Sequence, residues 1–281
     1  MTASVAIHHG DNLTVARRLP DAAFTVVYLD PPFNTGRVRS RIAPAPDAAP
    51  VTPPDVRAGF RGNDYVRLRG DLGVYADAFE DYWAFLEPRL VEAWRLLAPE
   101  GTLYLHLDYR EVHYAKVLLD ALFGRERFLN EIIWAYDYGA KTKRRWPTKH
   151  ETILVYVKDP ERYWFDAEAV DREPYMAPGL VTAEKAARGK LPTDVWWHTI
   201  VPTTGREKTG YPTQKPEGVL RRIVQASSRP GDAVLDLFAG SGTTGAVAAA
   251  LGRHAVLVDD NPEAIAVMRA RLPGAVFVPA D

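Results

Sequence analysis

The sequence contains no cysteine, which excludes disulfide bonds and cysteine-based metal sites. It has no apolar run long enough to cross a bilayer and no signal-peptide pattern at its N-terminus. Its 35 Lys and Arg residues nearly balance 36 Asp and Glu residues, so the net charge of −1 gives no overall attraction for a polyanion. We therefore expect a cytoplasmic protein with no membrane association, in which any polyanion is bound by a local basic surface.

Apolar residues make up 47% of the 281 residues, enough for a sizeable core. Short apolar runs alternate with stretches at helical spacing, which predicts an α/β fold with a mostly parallel twisted sheet and helices on both faces. The predicted strands are 5–8, 24–29, 101–107, 132–136, 152–157, 233–235 and 254–258. The predicted helices are 13–19, 78–97, 109–122, 216–227 and 246–251.

The tetrapeptide Asp30-Pro31-Pro32-Phe33 directly follows the predicted strand 24–29. Each proline fixes its own φ and has no N–H, and the residue before a proline is pushed towards extended geometry. The result is a stiff loop that presents a carboxylate, a bare backbone carbonyl and an aromatic ring to one small target. Such groups suit the amino group of a nucleobase. The alternative is an ordinary proline-rich turn.

A glycine-rich segment lies between the predicted strand 233–235 and the predicted helix 246–251. Such an arrangement brings backbone N–H groups and a helix N-terminus up to a bound cofactor. The next strand ends in Asp259, an acid placed to accept hydrogen bonds from ribose hydroxyls. The segment reads Asp236-Leu237-Phe238-Ala239-Gly240-Ser241-Gly242-Thr243-Thr244-Gly245.

The spacing of these glycines also matches the dinucleotide pattern G-x-G-x-x-G, which makes an NAD-dependent oxidoreductase a rival interpretation. Two features argue against it. The dinucleotide pattern does not require Asp236 and Phe238, and an oxidoreductase leaves the Asp-Pro-Pro-Phe loop without a role.

Together the two motifs resemble the β group of S-adenosylmethionine-dependent DNA amino-methyltransferases, including the methylases of type II and type III restriction-modification systems. The loop 30–33 looks like the family's catalytic loop and precedes the segment 236–242, which looks like its cofactor loop, in the permuted order of the β group. The segments 34–36, 130–134 and 211–216 also look like members of this group, so the resemblance covers most of the chain. Phe33, where Tyr is commoner, and Asp259, where many relatives carry Glu, depart from the pattern.

This resemblance implies a Rossmann-like methyltransferase fold and methyl transfer from S-adenosylmethionine to an exocyclic amino group of a flipped base. An Asp at the first position of the catalytic loop favours adenine N6, with cytosine N4 as the alternative. A catalytically silent DNA-binding partner is a further alternative, against which the intact loop argues. The resemblance implies no metal. The implied catalytic residues are Asp30, Pro31, Pro32 and Phe33.

The resemblance also implies a set of cofactor-binding residues. It puts the glycine loop beside the methionine part of the cofactor, Asp259 at the ribose, Asp11 near the adenine and Lys215 near the cofactor carboxylate. The alternatives are a helix N-cap for Asp11 and simple solvent exposure for Lys215. The implied set is Asp11, Lys215, Asp236, Phe238, Gly240, Ser241, Gly242, Thr243 and Asp259.

One local basic run could contact DNA. Its cations would neutralise phosphates, and its tryptophan would stack on a base or sugar. The alternative is a solvated charged loop, and the resemblance favours DNA contact. The run consists of Lys141, Lys143, Arg144, Arg145, Trp146 and Lys149.

The alternation of strands and helices suggests how the domain is organised. Residues 1–158 form the catalytic half, with a loop insertion at 37–70, and residues 212–281 form the cofactor-binding half of the same domain. Residues 159–211, rich in Trp, Pro, Gly and charge, are interpreted as a target-recognition insertion, with a structural excursion as the alternative. The expected partner is double-stranded DNA, with a homodimer and a cognate restriction enzyme as further partners and the nucleoid as the place of action.

Overall fold

The computed structural model describes residues 3–33, 80–139, 141–202 and 204–279. The predicted loop 37–70, the segment 34–36 and the start of the predicted helix 78–97 lie outside these ranges.

Nine strands of the described residues form one sheet in the order β6-β4-β5-β3-β2-β7-β8-β1-β9. Strand β5 is antiparallel to both of its neighbours, β3 and β4, and every other pairing is parallel. This confirms the predicted mostly parallel sheet. The strands are β1 Val5–His9, β2 Phe24–Leu29, β3 Leu97–Leu107, β4 Phe128–Ala135, β5 His150–Val157, β6 Val195–Trp197, β7 Ala233–Asp236, β8 His254–Asp259 and β9 Val276–Val278.

The described helices fall between these strands. They are α1 Asn12–Arg18, α2 Glu80–Leu96, α3 Val112–Phe123, α4 Ala183–Arg188, α5 Glu217–Ser227, α6 Thr243–Ala250 and α7 Pro262–Arg271. All five predicted helices are present with shifted ends. Helix α6 begins three residues before the predicted start, inside the glycine segment, so the loop itself is only Leu237–Gly242.

Four elements of the structure were not predicted from the sequence: α4, β6, α7 and β9. Strand β6 lies within the predicted insertion 159–211, yet it pairs in parallel with β4 and extends the main sheet. Strand β6 has only three residues and no period-2 alternation, so its sequence does not indicate a strand. Strand β3 also begins earlier than predicted, at Leu97, and its pairing with β2 is irregular between Phe24 and Val26.

The core consists of two apolar layers, one on each face of the sheet. All six residues of β2 are buried because helices cover both sides of this central strand. On one face, Leu86 and Leu90 of α2 are fully buried against it, while Val219 and Ile223 of α5 belong to the other layer. The central strands are therefore held rigidly, and so are the residues at their ends.

No helix among the described residues is long and apolar enough to span a membrane.

Candidate active site

The Asp-Pro-Pro-Phe loop and the glycine loop lie at neighbouring strand ends. Strands β2 and β7 are parallel and adjacent, and Tyr28 pairs in register with Asp236. Asp30 follows Tyr28 by two residues, so it leaves the sheet beside the residue that opens the glycine loop. The structure confirms the juxtaposition that both motifs require, because the two loops open from the same edge of the sheet.

Asp30 forms a short ion pair with Lys215, which lies just before α5. The ammonium Nζ is 2.6 Å from the Oδ2 atom of Asp30 and 3.5 Å from the Oε2 atom of Glu151 at the start of β5. Lys215 is only 9% exposed, so the alternative of a solvent-exposed lysine is wrong. One buried cation is thus shared by two carboxylates.

The charges of this cluster change the proton affinity of its members. Burial alone would lower the pKa of Lys215, but the negative charges of Asp30 and Glu151 outweigh it and raise the pKa to about 12. Burial alone would raise the pKa of Glu151, but the charge of Lys215 and contact with His106 lower it to about 2. Lys215 is therefore a cation and Glu151 an anion throughout the physiological pH range.

The rest of the proline loop is arranged around this ion pair. Pro31 is buried, Pro32 is exposed and Phe33 is partly buried. The Phe33 ring centre lies 5.1 Å from the Lys215 ammonium and 6.4 Å from the His106 ring centre. The aromatic ring therefore borders the carboxylate that the loop presents.

The glycine loop makes a tight turn that needs its glycines. Gly240 has φ +51° and Gly242 has φ +74°, both in the left-handed region that disfavours side chains. A Cβ atom on Gly242 would also lie 2.8 Å from Cγ of Met268. Helix α6 starts at Thr243, directly after this turn, so its N-terminus faces the same edge as the loop.

Asp236 is a buried carboxylate held by two hydrogen bonds. Its Oδ2 atom accepts a hydrogen bond from the Thr244 hydroxyl at 2.6 Å, and its Oδ1 atom accepts one from the Phe238 N–H at 2.9 Å. Burial raises the pKa of Asp236 to about 7 against the effect of these hydrogen bonds. Among the described residues no Lys, Arg or His forms an ion pair with it. An uncompensated buried carboxylate suits a ligand with a positive group.

Asp259 braces the glycine loop from the next strand. Its Oδ2 atom accepts the N–H of Gly240 at 2.8 Å and its Oδ1 atom accepts the N–H of Asn261 at 2.9 Å. Burial raises the pKa of Asp259, and these two N–H groups oppose the rise. Each carboxylate oxygen keeps a further lone pair for a ligand hydroxyl.

The side chains of the other predicted cofactor residues in this loop contact neighbouring protein segments. The Thr243 hydroxyl donates to the Lys215 carbonyl at 3.1 Å and accepts from Arg271 at 2.9 Å, and the buried Ser241 lies beside it. These two side chains therefore fasten the start of α6. The Phe238 ring lies 6.0 Å from the ring of Phe85, at the side of α2.

Asp11 has both carboxylate oxygens engaged within the protein. Its Oδ1 atom accepts the Thr14 N–H at 2.9 Å as the N-cap of α1, and its Oδ2 atom pairs with Arg89 at 2.8 Å. Arg89 also contacts Asn12, whose side-chain amide donates to the Leu237 carbonyl at 2.7 Å. The structure shows the N-cap that the sequence offered as an alternative to cofactor contact.

We expect replacement of Asp11 by Ala to reduce stability. The change removes the N-cap and the partner of Arg89, so the free energy of unfolding should fall by roughly 1–3 kcal/mol. Urea denaturation of the two proteins measures this difference. Asp11→Asn should recover the capping part of the loss, since Asn is an equally good N-cap. An unchanged urea midpoint for Asp11→Ala would contradict this role.

The predicted DNA-contact run forms the connection between β4 and β5. Because β4 runs parallel to β2, this connection leaves the sheet at the edge that carries Asp30 and Asp236. Its members are exposed except for the half-buried Lys149, and Trp146 is 93% exposed. Lys149 differs from the rest, because its ammonium pairs with Asp137 at 2.9 Å.

Three residues at the site were not anticipated from the sequence. They form a chain of close contacts beside Lys215: the Tyr28 hydroxyl lies 2.7 Å from Nδ1 of His106, and Nε2 of His106 lies 2.9 Å from Oε2 of Glu151. His106 is fully buried. Glu151 immediately precedes the predicted strand 152–157, and that position at a strand end was the available signal.

No group of three or more potential metal ligands occurs in the described part of the chain.

The fold and the site together define a class. A mostly parallel sheet carries a glycine loop at the end of one strand and an Asp-Pro-Pro-Phe corner at the end of its neighbour, which is the arrangement of a Rossmann-like methyltransferase.

Residues 24–269 match the N6/N4 methyltransferase family, described as DNA methylase, and the chain belongs to this family. It is 30% identical to "DNA adenine methyltransferase YhdJ" of Escherichia coli over 98% of this chain and 85% of that protein. It is 32% identical to "Type II methyltransferase M.HpaI" of Haemophilus parainfluenzae over 91% of this chain and 70% of that protein. The chain is a DNA methyltransferase with S-adenosylmethionine as methyl donor. This membership leaves no support for the oxidoreductase interpretation.

Solved structures show the same fold. The structure titled "PVUII DNA methyltransferase (cytosine-N4-specific)" aligns with a TM-score of 0.64 at 15% identity, over 99% of this chain and 95% of that one. The structure titled "crystal structure of M1.HpyAVI-SAM complex" aligns with a TM-score of 0.60 at 20% identity, over 95% of this chain and 98% of that one.

Proposed function

We propose that this protein methylates the N6 amino group of adenine in double-stranded DNA, with Asp30 as the catalytic carboxylate. The observation that carries the proposal is the position of Asp30 at the end of β2, beside the strand whose end opens the glycine loop. An amine held by Asp30 and a cofactor held by that loop would share one cavity.

An exocyclic amine is a poor nucleophile because its lone pair is delocalised into the ring. The Asp30 carboxylate and the Pro31 carbonyl would accept the two amino hydrogens and favour a more tetrahedral nitrogen. These contacts strengthen as positive charge develops on the nitrogen, so they stabilise the transition state more than the ground state. Asp30 would then take the surplus proton.

The residues around the glycine loop fit the cofactor. S-adenosylmethionine supplies a methyl group on a sulfonium, which is already a good leaving group. The Asp236 carboxylate, which forms no ion pair with a described residue, suits its cationic amino group, and Asp259 has lone pairs left for its ribose hydroxyls. The left-handed turn at Gly240 and Gly242 lets the backbone come close. Alignment of the two reactants is then the main remaining task.

The target base would have to leave the helix, because its amine cannot reach a buried methyl donor from within the duplex. The Phe33 ring lies near the ammonium of Lys215, which binds Asp30. A base whose amine is held by Asp30 would therefore be within reach of this ring, and Phe33 would stack on it. The duplex would lie along the edge of the sheet from which the β4–β5 connection emerges. Residues 159–211 supply β6 at the outer end of this edge, where Trp197 is 72% exposed, which supports their role in target recognition.

We expect simultaneous replacement of Lys143, Arg144 and Arg145 by Ala to weaken DNA binding. These exposed cations at the edge of the site would neutralise phosphates, so the slope of log Kd against log salt should fall by about 2–3. Fluorescence anisotropy with a labelled duplex at several salt concentrations measures the slope.

A matched control removes three cations from the opposite side of the molecule. Arg17, Arg18 and Arg125 lie at the ends of α1 and α3, where helices that follow parallel strands have returned to the other edge of the sheet. Their replacement by Ala changes the net charge equally and should leave most of the slope intact. Equal slopes for the two triple variants would reassign the basic run to a solvated loop.

The identity of the target base is tested by chemistry on DNA. A duplex library is incubated with labelled S-adenosylmethionine, digested to nucleosides and analysed by mass spectrometry, while sequencing locates the modified sites. We expect N6-methyladenine. The Asp of the catalytic loop favours this product, and the Escherichia coli relative is named an adenine methyltransferase. Label in N4-methylcytosine would move the assignment to the alternative base, and absence of label would identify a catalytically silent DNA-binding protein.

Two partners and the place of action complete the proposal. The relatives named type II methyltransferases support a cognate restriction enzyme of the same specificity. Resemblance to the β group supports a homodimer, which sedimentation measurements on the purified protein would test. We propose that the protein acts in the cytoplasm on nucleoid DNA.

A further inference from the structure

Glu151 is a largely buried carboxylate beside the ion pair of Asp30 and Lys215, and the methyl transfer proposed for Asp30 assigns it no role. Oε2 of Glu151 lies 3.5 Å from the Lys215 ammonium, which is also 2.6 Å from Oδ2 of Asp30. Burial raises the pKa of Glu151, but Lys215 and His106 outweigh this effect and lower the pKa to about 2. Glu151 is therefore an anion at every physiological pH. A buried anion of this kind costs desolvation energy and calls for an explanation.

His106 fixes the position of Glu151. The fully buried imidazole has Nδ1 2.7 Å from the Tyr28 hydroxyl and Nε2 2.9 Å from Oε2 of Glu151. Burial raises the pKa of Tyr28 well above its ordinary value, so its hydroxyl keeps its proton and can donate to Nδ1. If Nδ1 accepts this hydrogen bond, the proton of the neutral imidazole is on Nε2, which lies 2.9 Å from Oε2 of Glu151.

We propose that Glu151 is a positioning residue that retains the Lys215 ammonium while Asp30 takes up the proton of the methylated amine. The proposal rests on the proposed function of Asp30. In this step an N–H bond of the amine breaks, its electron pair stays on nitrogen, and an O–H bond forms at Asp30. Asp30 becomes neutral, and Lys215 keeps Glu151 as its counter-ion inside the protein. Water receives the proton from Asp30 when the product leaves.

Without the Glu151 charge, the same step becomes unfavourable. Lys215 would pair with Asp30 alone, and protonation of Asp30 would leave a buried ammonium with no anion, which is strongly disfavoured. Glu151 therefore makes Asp30 a better proton acceptor. A residue that served only the packing of β5 would have no such effect on the pH dependence of the reaction.

Other titratable groups face the cluster from the strands that surround it. Asp236 is the one whose titration would overlap the assay, because its pKa is raised to about 7 by burial. It belongs to the cofactor loop, so saturating S-adenosylmethionine removes its effect on the measured rate. The groups that face the cluster, besides Asp30, Lys215, Glu151 and His106, are Tyr28, Asp108, Tyr136 and Asp236.

The test measures the single-turnover rate of methyl transfer against pH, with saturating cofactor and DNA. We expect Glu151→Gln, which keeps the size of the side chain and a polar group beside His106, to lower the maximal rate about 10- to 100-fold. We also expect the acidic limb of its pH profile to move to lower pH by about one unit, because Lys215 no longer divides its charge between two carboxylates. Glu131→Gln, an exposed glutamate on the neighbouring strand β4, is the matched control.

Lys215→Gln supplies a second test of opposite sign. It leaves two carboxylates without their shared cation, so the acidic limb should move to higher pH. If Glu151→Gln fails to fold, Glu151→Asp, which draws the carboxylate back from Lys215, replaces it and should move the acidic limb in the same direction by a smaller amount. A Glu151→Gln profile that matches wild type, or a lower rate with an unmoved limb, overturns the inference. Failure of the wild-type enzyme itself to transfer methyl groups would instead overturn the proposed function.

Discussion

Replacement of Asp30 by Asn should reduce methyl transfer by about 10³-fold or more while S-adenosylmethionine still binds. The amide is of the same size, but it carries no charge to stabilise the amine and cannot take its proton. Lys215 keeps Glu151 as a partner, so the folded state should survive. Single-turnover transfer to DNA measures the rate, and isothermal titration measures cofactor affinity.

The matched control for Asp30 lies at the other end of the same strand. Asp21 precedes β2, and its side chain is 76% exposed beside Arg95, on the edge of the sheet away from the site. Asp21→Asn should methylate DNA at the wild-type rate. If Asp30→Asn retained rapid turnover, Asp30 would have no part in the mechanism.

Replacement of Asp236 by Asn should make the protein more stable and yet weaken cofactor binding. Folding raises the pKa of this carboxyl from 3.8 to about 7 through burial. Between these values the folded state holds a proton that the unfolded state has released, so stability falls as the pH rises. Asn removes this loss, and its stabilising effect should be about 2–3 kcal/mol larger at about pH 8 than at about pH 5. Urea denaturation at the two pH values measures it.

The same substitution removes the charge available to the cationic amino group of the cofactor. We expect S-adenosylmethionine to bind about 10- to 100-fold more weakly to Asp236→Asn, the size of one charge-assisted hydrogen bond. For the wild-type protein, affinity should decrease as the pH falls below about 7. Asp232→Asn, at the opposite end of β7, is the control, because Asn can still accept the Arg229 N–H. Wild-type affinity in Asp236→Asn would place the cofactor amino group elsewhere.

Much of the fold follows from local signals in the sequence. Buried parallel strands such as β2 give continuous apolar runs, and helices α2 and α5 give apolar residues at helical spacing, so both kinds of element could be predicted. Strand β6 could not, because its three residues are held by pairing with β4 rather than by any pattern of their own. The start of α6 was misplaced because Thr243 and Thr244, weak helix formers, are fixed there by hydrogen bonds to other segments.

In the site, too, some features could be predicted from the sequence and others could not. The adjacency of Asp30 and Asp236 could be predicted, since each ends a buried strand directly before a turn motif. Glu151 was missed because it lies at the start of a strand, and it reaches this edge only because β5 runs antiparallel to its neighbours. Lys215 was placed by resemblance near the cofactor carboxylate, whereas its closest partner is Asp30, 185 residues away in the chain. Such long-range ion pairs leave no local signal in a single sequence.

The position of bound S-adenosylmethionine in a crystal of the complex is the decisive test of a site shared by Asp30 and the glycine loop. We predict that its amino group contacts the Asp236 carboxylate and that its methyl-bearing sulfur faces Asp30 and Phe33. Density for the cofactor on the far side of the glycine loop, with Asp30 out of reach of its methyl group, would contradict a shared site for the two strand ends.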